Sequence, residues 1–374
     1  MTDLLIVGGG IMGLWAGVMA ERAGLSTLVV ERNRIGAGAS GGILGALMPH
    51  MPDRRNPKKQ FQFDALVSLE AEIAAIEAAT GLSAGYRRCG RIMPLGKPHL
   101  RDIALRHEQE ALINWSVGSR QFHWHVQDHI PAAGWPDTAC ASHGVIFDTL
   151  AARVAPRALL VALTAYLRAS KHVRVVESMP VVAIDPATRC VTFADGSTEN
   201  FCTCIIAAGP QSFPMLESLV PLEKGAGIGV KGQAALLDAR VDPYLPIIFS
   251  DGLYIVPHEN GHVAIGSTSE EEYASPFTTD EKLDNLLSRA RAMVPALRDA
   301  PVIERWAGLR PKAIGRDPMA GPVPDLSCIH MLTGGFKISF GIAHRLAEAV
   351  VAGVAGGDGP GMPPSFECAA HLRP

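Results

Sequence analysis

Apolar runs separated by glycine-rich breaks dominate the first thirty residues of the chain. Residues 3–7 form a short apolar run, typical of a strand buried on both faces of a parallel sheet. Residues 11–23 have a helical pattern that stops at Gly24, and residues 26–30 form a second apolar run. This order predicts a strand, a helix and a second parallel strand, the repeating unit of α/β folds.

Other patterns appear further along the chain. Residues 228–237, 253–258 and 262–267 alternate apolar and polar positions, which predicts antiparallel strands. Residues 61–80 and 279–293 have the spacing of amphipathic helices. The chain therefore combines a parallel α/β unit with an antiparallel sheet, and its 374 residues are enough for two interleaved domains.

The break after the first run is a G-x-G-x-x-G motif formed by Gly8, Gly10 and Gly13. In such a motif the first glycine permits a tight turn, the second lets the backbone approach a pyrophosphate, and the third allows close helix–strand packing. The free N–H groups at the helix start then receive the phosphates. Glu31 closes the second run, eighteen residues beyond Gly13, where an acid accepts hydrogen bonds from a ribose diol. The segment predicts a dinucleotide-binding unit.

The next segment, residues 35–47, is dense in glycine, alanine and serine. Small residues at this density suggest backbone that passes close to a flat or extended ligand. The alternative is a flexible linker, but the interspersed Ile43, Leu44 and Leu47 favour burial.

With these segments the chain resembles the D-amino-acid oxidase/glycine oxidase/sarcosine oxidase family of flavoproteins. In that family the ribose acid is followed by a G-x-x-A-S segment and by small residues that run beneath the flavin. Glu31, Ala39, Ser40 and residues 44–46 stand at those places. The most specific match is Trp-Ala-Gly-Leu-Arg-Pro at residues 306–311, where NADPH-dependent hydroxylases carry a Gly-Asp flavin motif.

Further matches follow in the same order over the whole chain. Residues 173–184 contain Pro180-Val181, where the family places an adenine-contacting valine, and residues 205–209 resemble its second glycine turn. Lys-Gly-Gln at 231–233 and Gly-Leu-Tyr-Ile-Val-Pro at 252–257 resemble its substrate-domain strands. Thr-Gly-Gly-Phe-Lys at 333–337, followed by a helical run, resembles its C-terminal motif.

The resemblance implies an α/β fold with a Rossmann-like FAD-binding domain and a second, α+β substrate domain built on an antiparallel sheet. We expect a discontinuous FAD domain in residues 1–85, 143–220 and 304–374, with the substrate domain in 86–142 and 221–303. The resemblance also implies non-covalent FAD. The expected cofactor contacts are Gly8, Gly10, Ile11, Met12, Gly13, Glu31, Arg32, Ala39, Ser40, Leu44, Gly45, Ala46, Leu47, Val181, Ala208, Gly209, Gly335, Phe336, Lys337 and Ile338.

Arg310 is the leading candidate for a substrate anchor. A flavin that oxidises an amine needs a group that holds the substrate carbon in place, and an arginine fork binds both oxygens of a carboxylate. The resemblance to glycine oxidase places the carboxylate-binding residue at this position. The alternative is a structural arginine paired with Glu304 or Asp317.

Tyr254 and Lys337 are the other candidates at the site. The resemblance places Tyr254 against the substrate, and the alternative is a tyrosine that packs across strands. Lys337 departs from glycine oxidase, which has arginine there, and is similar to the lysine of sarcosine oxidases. It is expected to share the carboxylate with Arg310 or to assist the reaction of reduced flavin with oxygen, and a surface lysine is the alternative.

Several other residues carry weaker signals. His50 follows the small-residue run and could lie near the flavin, although a lone histidine is more often structural. Cys328 precedes the C-terminal motif, but it does not match the family's covalent flavin attachments. His123, His125 and His129 lack acids or cysteines at metal-ligand spacing, which favours a surface strand and loop over a metal site.

Composition and charge exclude several classes of function. A net charge of -3 without a basic stripe argues against nucleic-acid binding. No run of eighteen apolar residues occurs, so no membrane span is expected. Seven cysteines without a CxxC pair argue against disulfides and a structural metal, which suggests a reducing, cytoplasmic location. The oligomeric state stays open, a homo-oligomer included.

We therefore expect an enzyme that oxidises the C–N bond of a small amino acid or N-substituted amino acid to an imine. The substrate would be a carboxylate-bearing amine, and the electrons would pass to oxygen or another acceptor. One alternative is a dehydrogenase of an amino or 2-hydroxy acid that passes electrons to a quinone or partner protein. Others are a tRNA-modifying enzyme with a related FAD domain, and a flavin subunit that needs a partner.

Overall fold

The computed structural model describes residues 2–372 as two large sheets with helices packed on them. The helices are α1 (Ile11–Arg22), α2 (Pro57–Thr80), α3 (Pro98–Asn114), α4 (Pro156–Ala169), α5 (Ser212–Leu219), α6 (Glu281–Met293), α7 (Ser339–Val354) and α8 (Cys368–His371). The strands are β1 (Thr2–Val7), β2 (Thr27–Val30), β3 (Ala46–Leu47), β4 (Arg91–Pro94), β5 (Ser116–Val117), β6 (Arg120–Gln121), β7 (Trp124–Gln127), β8 (Val145–Asp148), β9 (Ala152–Arg153), β10 (Val173–Val176), β11 (Val181–Asp185), β12 (Cys190–Phe193), β13 (Thr198–Ile206), β14 (Gly227–Leu237), β15 (Ile247–Ser250), β16 (Leu253–Pro257), β17 (Val263–Gly266), β18 (Val302–Ala313), β19 (Met319–Val323) and β20 (Leu326–Thr333).

The first sheet has the order β10-β2-β1-β13-β12-β11, with β20 pairing to β13 and β19 to β20. Strands β10, β2, β1, β13 and β20 are parallel where they pair. The predicted unit at the N-terminus is therefore present as β1, α1 and β2, with boundaries within one residue of the apolar runs. The predicted α/β fold class is confirmed.

Helices α1, α2, α4 and α7 share one hydrophobic core against the first sheet. Helix α1 is buried along almost its whole length, from Ile11 to Ala20, because sheet and helices enclose it from all sides. This explains why its sequence is apolar throughout and has no polar face. Helix α2 begins at Asn56, whose side chain accepts the Lys59 N–H, and ends at Gly81 in the left-handed conformation.

The second sheet has the order β18-β14-β17-β16-β15-β4-β8-β7. The three stretches predicted as antiparallel strands form β14, β17 and β16, and all of their pairings in this sheet are antiparallel. Helix α6 packs on one face, where Leu283 and Leu287 join the sheet's core residues. The Asp280 side chain caps this helix by accepting the Lys282 N–H.

Strands β8 and β18 belong to the second sheet, although most of their residues lie in the ranges expected for the FAD domain. Residues 145–148 and 302–313 were expected largely within the FAD domain, but β8 and β18 hydrogen-bond within the second sheet. Strand β18 pairs with β14 over nearly its full length. An apolar pattern indicates a strand without naming its partner, which is why the division could not be read from sequence.

Helix α3 is a feature that the sequence did not reveal. Of its 17 residues, Ala104 and Ala111 are the fully buried ones, so it has no continuous apolar stripe.

Among the helices between residues 2 and 372, none could cross a bilayer.

Candidate active site

A cavity of about 550 Å³, here called the main cavity, lies between the two sheets. Its walls include the ends of β1, β2 and β13 on one side and residues of β14, β16 and β18 on the other. Ligands of open α/β sheets bind at the carboxyl ends of the parallel strands, and the main cavity occupies this position.

Glycine is required at two positions of the G-x-G-x-x-G motif, Gly8 in the turn after β1 and Gly13 in helix α1. Gly8 has a φ of +118°, and a Cβ there would lie 2.4 Å from the carbonyl oxygen of Ala207. A Cβ at Gly13 would lie 1.9 Å from the carbonyl oxygen of Gly8. Gly13 therefore packs the helix against the strand and does not line the main cavity, unlike Gly8 and Gly10.

Glu31 is held at the end of β2 by two backbone donors. Its carboxylate accepts the Gly9 N–H at 2.8 Å through Oε2 and the Asn33 N–H at 3.0 Å through Oε1. A carboxylate offers about four acceptor sites, so two remain for a ligand in the main cavity. The Ser40 hydroxyl accepts the N–H of Ile11 at 3.0 Å and ties the small-residue segment to the helix start.

The small-residue segment lines the main cavity from Gly36 to Ala46 except at Gly41, and Leu47 does not line it. Leu47 is 2% exposed and packs in the core of the first sheet, while its neighbour Met48 faces the cavity. Side chains alternate in direction along an extended segment, so consecutive residues face opposite sides. The expected contact at Leu47 is therefore replaced by Met48.

The remaining residues expected at the cofactor all line the main cavity. They come from the turn after β2, from Val181 at the start of β11, from the turn after β13 and from the segment that precedes α7. Elements far apart in sequence therefore meet around one space, and Gly13 and Leu47 are the exceptions among the expected contacts.

Arg310 lies on β18 and faces the main cavity with the part of its side chain that protein does not cover. Its Nη1 donates to the carbonyl oxygen of Thr268 at 3.1 Å, and no acidic side chain between residues 2 and 372 forms an ion pair with it. Both partners expected for a structural arginine are engaged elsewhere, since Glu304 binds Arg157 and Asp317 binds Lys58. Burial lowers the pKa of Arg310 to about 10, so the guanidinium stays charged at neutral pH.

Lys337 also lines the main cavity, on the segment between β20 and α7. Within the described part of the chain it makes no ion pair. Partial desolvation, followed by the nearby positive charges of Arg310 and Arg316, lowers the pKa of Lys337. Arg310 and Lys337 thus lie close together in the main cavity, and neither forms an ion pair with a described residue, an arrangement that attracts an anion.

Tyr254 lines the main cavity from β16 and also packs across the sheet. Its ring lies 4.8 Å from that of Phe249 on the neighbouring strand. Burial raises the pKa of Tyr254, although the charges of Arg91 and Arg310 oppose the shift. Tyr254 therefore both lines the cavity and packs against the neighbouring strand.

Three aromatic residues that line the main cavity were missed, Trp306, Phe277 and Phe340. Trp306 covers Gly42, since a Cβ built on that glycine would lie 3.4 Å from the indole. Trp306 belongs to the Trp-Ala-Gly-Leu-Arg-Pro segment, so the family motif could have indicated its position at the cavity. Phe277 lines the cavity from the loop between β17 and α6 and is 64% exposed, and nothing in its local sequence indicates this position.

The residues with weaker signals lie outside the main cavity. His50 lines a small neighbouring cavity, and its N–H donates to Gln62 Oε1 at 2.7 Å. The Cys328 thiol contacts the carbonyl of Pro186. The rings of His123 and His125 stack at 4.8 Å on β7 and the residue before it. Over residues 2–372, no group of three or more His, Cys, Asp or Glu side chains could hold a metal ion.

Comparison with known proteins gives one family over nearly the whole chain. Residues 3–349 match the DAO family, described as FAD dependent oxidoreductase. The glycine oxidase of Pseudomonas aeruginosa is 27% identical over 341 residues, which cover 89% of each protein.

Solved structures show the same fold. The crystal structure of glycine oxidase from Geobacillus kaustophilus superposes with a TM-score of 0.86 at 22% identity, over 98% of each chain. That of iminodiacetate oxidase from Chelativorans sp. BNC1 gives a TM-score of 0.83 at 18% identity, again over 98% of each chain.

Proposed function

Because the chain belongs to the DAO family of FAD-dependent oxidoreductases, we propose that it oxidises the C–N bond of a small amino acid or an N-substituted amino acid. The product is an imine, which water converts to a 2-oxo acid and an amine or ammonia. The family resemblance deduced from the sequence is confirmed by the match over residues 3–349. The reaction type is supported by the similarity to glycine oxidases and an iminodiacetate oxidase.

The residues around the main cavity fit FAD. The glycine turn leaves space that a Cβ at Gly8 would fill, the start of α1 faces the cavity, and Glu31 keeps free acceptor sites there. We propose that these groups hold the pyrophosphate and the ribose, with Val181 at the adenine. When bound, FAD accepts the hydride from the carbon next to the substrate nitrogen.

The observation that carries the proposal is the unpaired state of Arg310. A charged group in a largely enclosed site is costly unless an opposite charge meets it, and no acid among the described residues forms an ion pair with Arg310; Glu270 acts on its charge without contacting it. A substrate carboxylate supplies that charge, and an arginine fork binds it through two hydrogen bonds. We assign Lys337 as a second donor to the carboxylate and Tyr254 as a wall of the substrate pocket.

The electron acceptor is proposed to be oxygen, with a quinone or partner protein as the alternative. We place the enzyme in a reducing compartment such as the cytoplasm, which is supported by the free thiols of all seven cysteines between residues 2 and 372. A homo-oligomer is compatible with this activity but is not required by it.

The test is an absorbance spectrum of the purified protein, followed by anaerobic addition of glycine, sarcosine, D- and L-amino acids and 2-hydroxy acids. We expect flavin bands that bleach with one class of amino acid. Bleaching by 2-hydroxy acids alone would contradict C–N oxidation. If amino acids bleach the flavin, dye is reduced quickly without oxygen and turnover with oxygen is slow, the enzyme is a dehydrogenase and not an oxidase.

A further inference from the structure

Buried polar side chains form a network next to Arg310 but outside the main cavity. Gln233 is fully buried, and Lys231 and Glu270 are less than a tenth exposed. Buried amide and charged groups cost free energy unless their hydrogen bonds are satisfied. The hydrogen bonds of this network lead to the guanidinium of Arg310.

Thr268 joins the network to Arg310. Its carbonyl oxygen accepts the hydrogen bond from Arg310 Nη1 at 3.1 Å. Its hydroxyl accepts the backbone N–H of Gln233 at 3.0 Å and donates to Glu270 Oε1. Because the hydroxyl is held from both sides, the residue has one orientation and its carbonyl is fixed with it.

The two residues that hold Thr268 are themselves fixed. Gln233 Nε2 donates to Glu270 Oε1 at 2.9 Å and to Asp280 Oδ1 at 2.8 Å. Gln233 Oε1 accepts the N–H of Asp280 at 2.8 Å, and Lys282 Nζ donates to Glu270 Oε2 at 2.9 Å. The network therefore closes on itself and links β14 to the start of α6.

Gly232 gives the guanidinium its space. A Cβ at Gly232 would lie 1.9 Å from Nη1 and 2.1 Å from Cζ of Arg310, closer than any side chain can approach. The guanidinium thus lies directly on the backbone of β14, one residue before Gln233. Any other residue at position 232 would push it away.

We propose that Thr268 and Gly232 are positioning residues for Arg310. Gly232 leaves room for the guanidinium, and Thr268, locked by Gln233 and Glu270, orients it before the substrate arrives. An arginine side chain has many rotamers, so fixing it in advance removes an entropic cost from each binding event. This inference rests on the proposed function, in which Arg310 binds the substrate carboxylate.

The first test measures binding of acetate to the FAD-loaded enzyme by the change in flavin absorbance, with acetamide as the uncharged comparison. Thr268→Val keeps the shape and removes the hydroxyl, and we expect the Kd of acetate to rise about tenfold. The Kd of acetamide should change less than about twofold, and Thr268→Ser should restore acetate binding because it keeps the hydroxyl. A merely structural role would weaken both ligands alike and would overturn the inference.

The second test uses Gly232→Ala, with Gly229→Ala on the same strand as the control. A Cβ at Gly229 would meet a leucine methyl at 3.1 Å, which can shift, so we expect that variant to bind acetate normally. Gly232→Ala displaces the guanidinium and should weaken acetate binding about a hundredfold. If Thr268→Val does not fold, unchanged acetate affinity in folded Gly232→Ala overturns the inference. Failure of the unaltered enzyme to bind any simple carboxylate would instead overturn the proposed function itself.

Discussion

The backbone N–H of Phe336 donates to the carbonyl oxygen of Pro311 at 3.1 Å and thereby connects the segments that carry Lys337 and Arg310. Pro311 follows Arg310 on β18 of the second sheet, while Phe336 precedes Lys337 in the segment after β20 of the first sheet. The backbone therefore holds Arg310 and Lys337 in neighbouring positions, although they lie on segments that belong to different sheets. The proposed joint binding of a carboxylate depends on this connection.

Replacement of Arg310 should weaken catalysis selectively for carboxylate substrates. We expect Arg310→Leu to lower kcat/KM by at least about 30-fold, since a desolvated charged hydrogen bond is worth roughly 2–5 kcal/mol. Arg310→Lys should recover part of the loss but lacks the fork. The measurement is steady-state kinetics with the best amino acid and with the matching amine that lacks the carboxylate. Equal losses on both compounds would rule out an anchoring role.

Replacement of Lys337 separates its two expected roles. As a second carboxylate donor, Lys337→Met should raise KM by about three- to tenfold with little effect on oxygen, because one charge-assisted hydrogen bond is lost. Stopped-flow traces of flavin reduction by substrate and of its reoxidation by oxygen measure the two steps separately. Slower reoxidation with unchanged reduction would move Lys337 from substrate binding to oxygen activation, and Lys337→Arg is the matched control.

Glu31 should control FAD affinity without affecting the substrate. In Glu31→Ala the ribose loses its acceptor and the Gly9 N–H loses its partner, so we expect the Kd of FAD to rise about 10- to 100-fold. Quenching of FAD fluorescence on titration with apoprotein gives this constant. Glu21→Ala is the control, because Glu21 accepts two backbone N–H groups far from the main cavity. An unchanged FAD affinity in Glu31→Ala would exclude the ribose assignment.

Acid should destabilise the protein through buried neutral histidines. Burial lowers the pKa of His258 and His330 to about 4 and that of His344 to about 3, from an ordinary value of 6.5. Below pH 6.5 the unfolded chain takes up protons that the folded protein does not, so stability is full above 6.5 and falls towards the folded pKa values. Each histidine should cost about 1.4 kcal/mol per pH unit in that window.

Denaturant unfolding at pH 7.5 and 5.5 measures this loss, and His344→Gln isolates one contribution. The glutamine amide reaches the position of His344 Nε2, which lies 2.9 Å from the Ser68 hydroxyl, but it does not titrate. The variant should lose less stability than the unaltered protein between the two pH values. Identical losses would show that His344 does not carry the effect.

The sequence predicted best those residues whose role depends on their immediate neighbours. Gly8, Gly10 and Glu31 act through a turn and the next strand, so their spacing alone indicated a dinucleotide site. Arg310 was predicted from a motif and an apolar neighbourhood, and it lines the main cavity. The prediction that Leu47 contacts the cofactor was wrong, because the direction of a side chain in the two-residue strand β3 depends on the strand with which it pairs, β9.

The rest of the site depends on pairing between distant segments. Gly232 lies next to the Arg310 guanidinium because β14 pairs with β18, and Thr268 reaches Arg310 from the loop after β17, where its hydroxyl accepts the Gln233 N–H of β14. No local pattern connects positions so far apart, and a buried glutamine or glutamate in a strand looks like an exposed one until its partners are known. The same reason explains why the pairing of β18 with β14 was not predicted.

The pairing of β20 with β13 has a consequence for biosynthesis. Strand β20 begins at Leu326, yet it lies beside Cys204 and Ile206, which are fully buried in the finished protein. A ribosome delivers the chain from its N-terminus, so these apolar residues emerge long before the strand that covers them. The nascent chain must keep this open sheet edge from pairing with neighbouring chains until β20 itself has been synthesised.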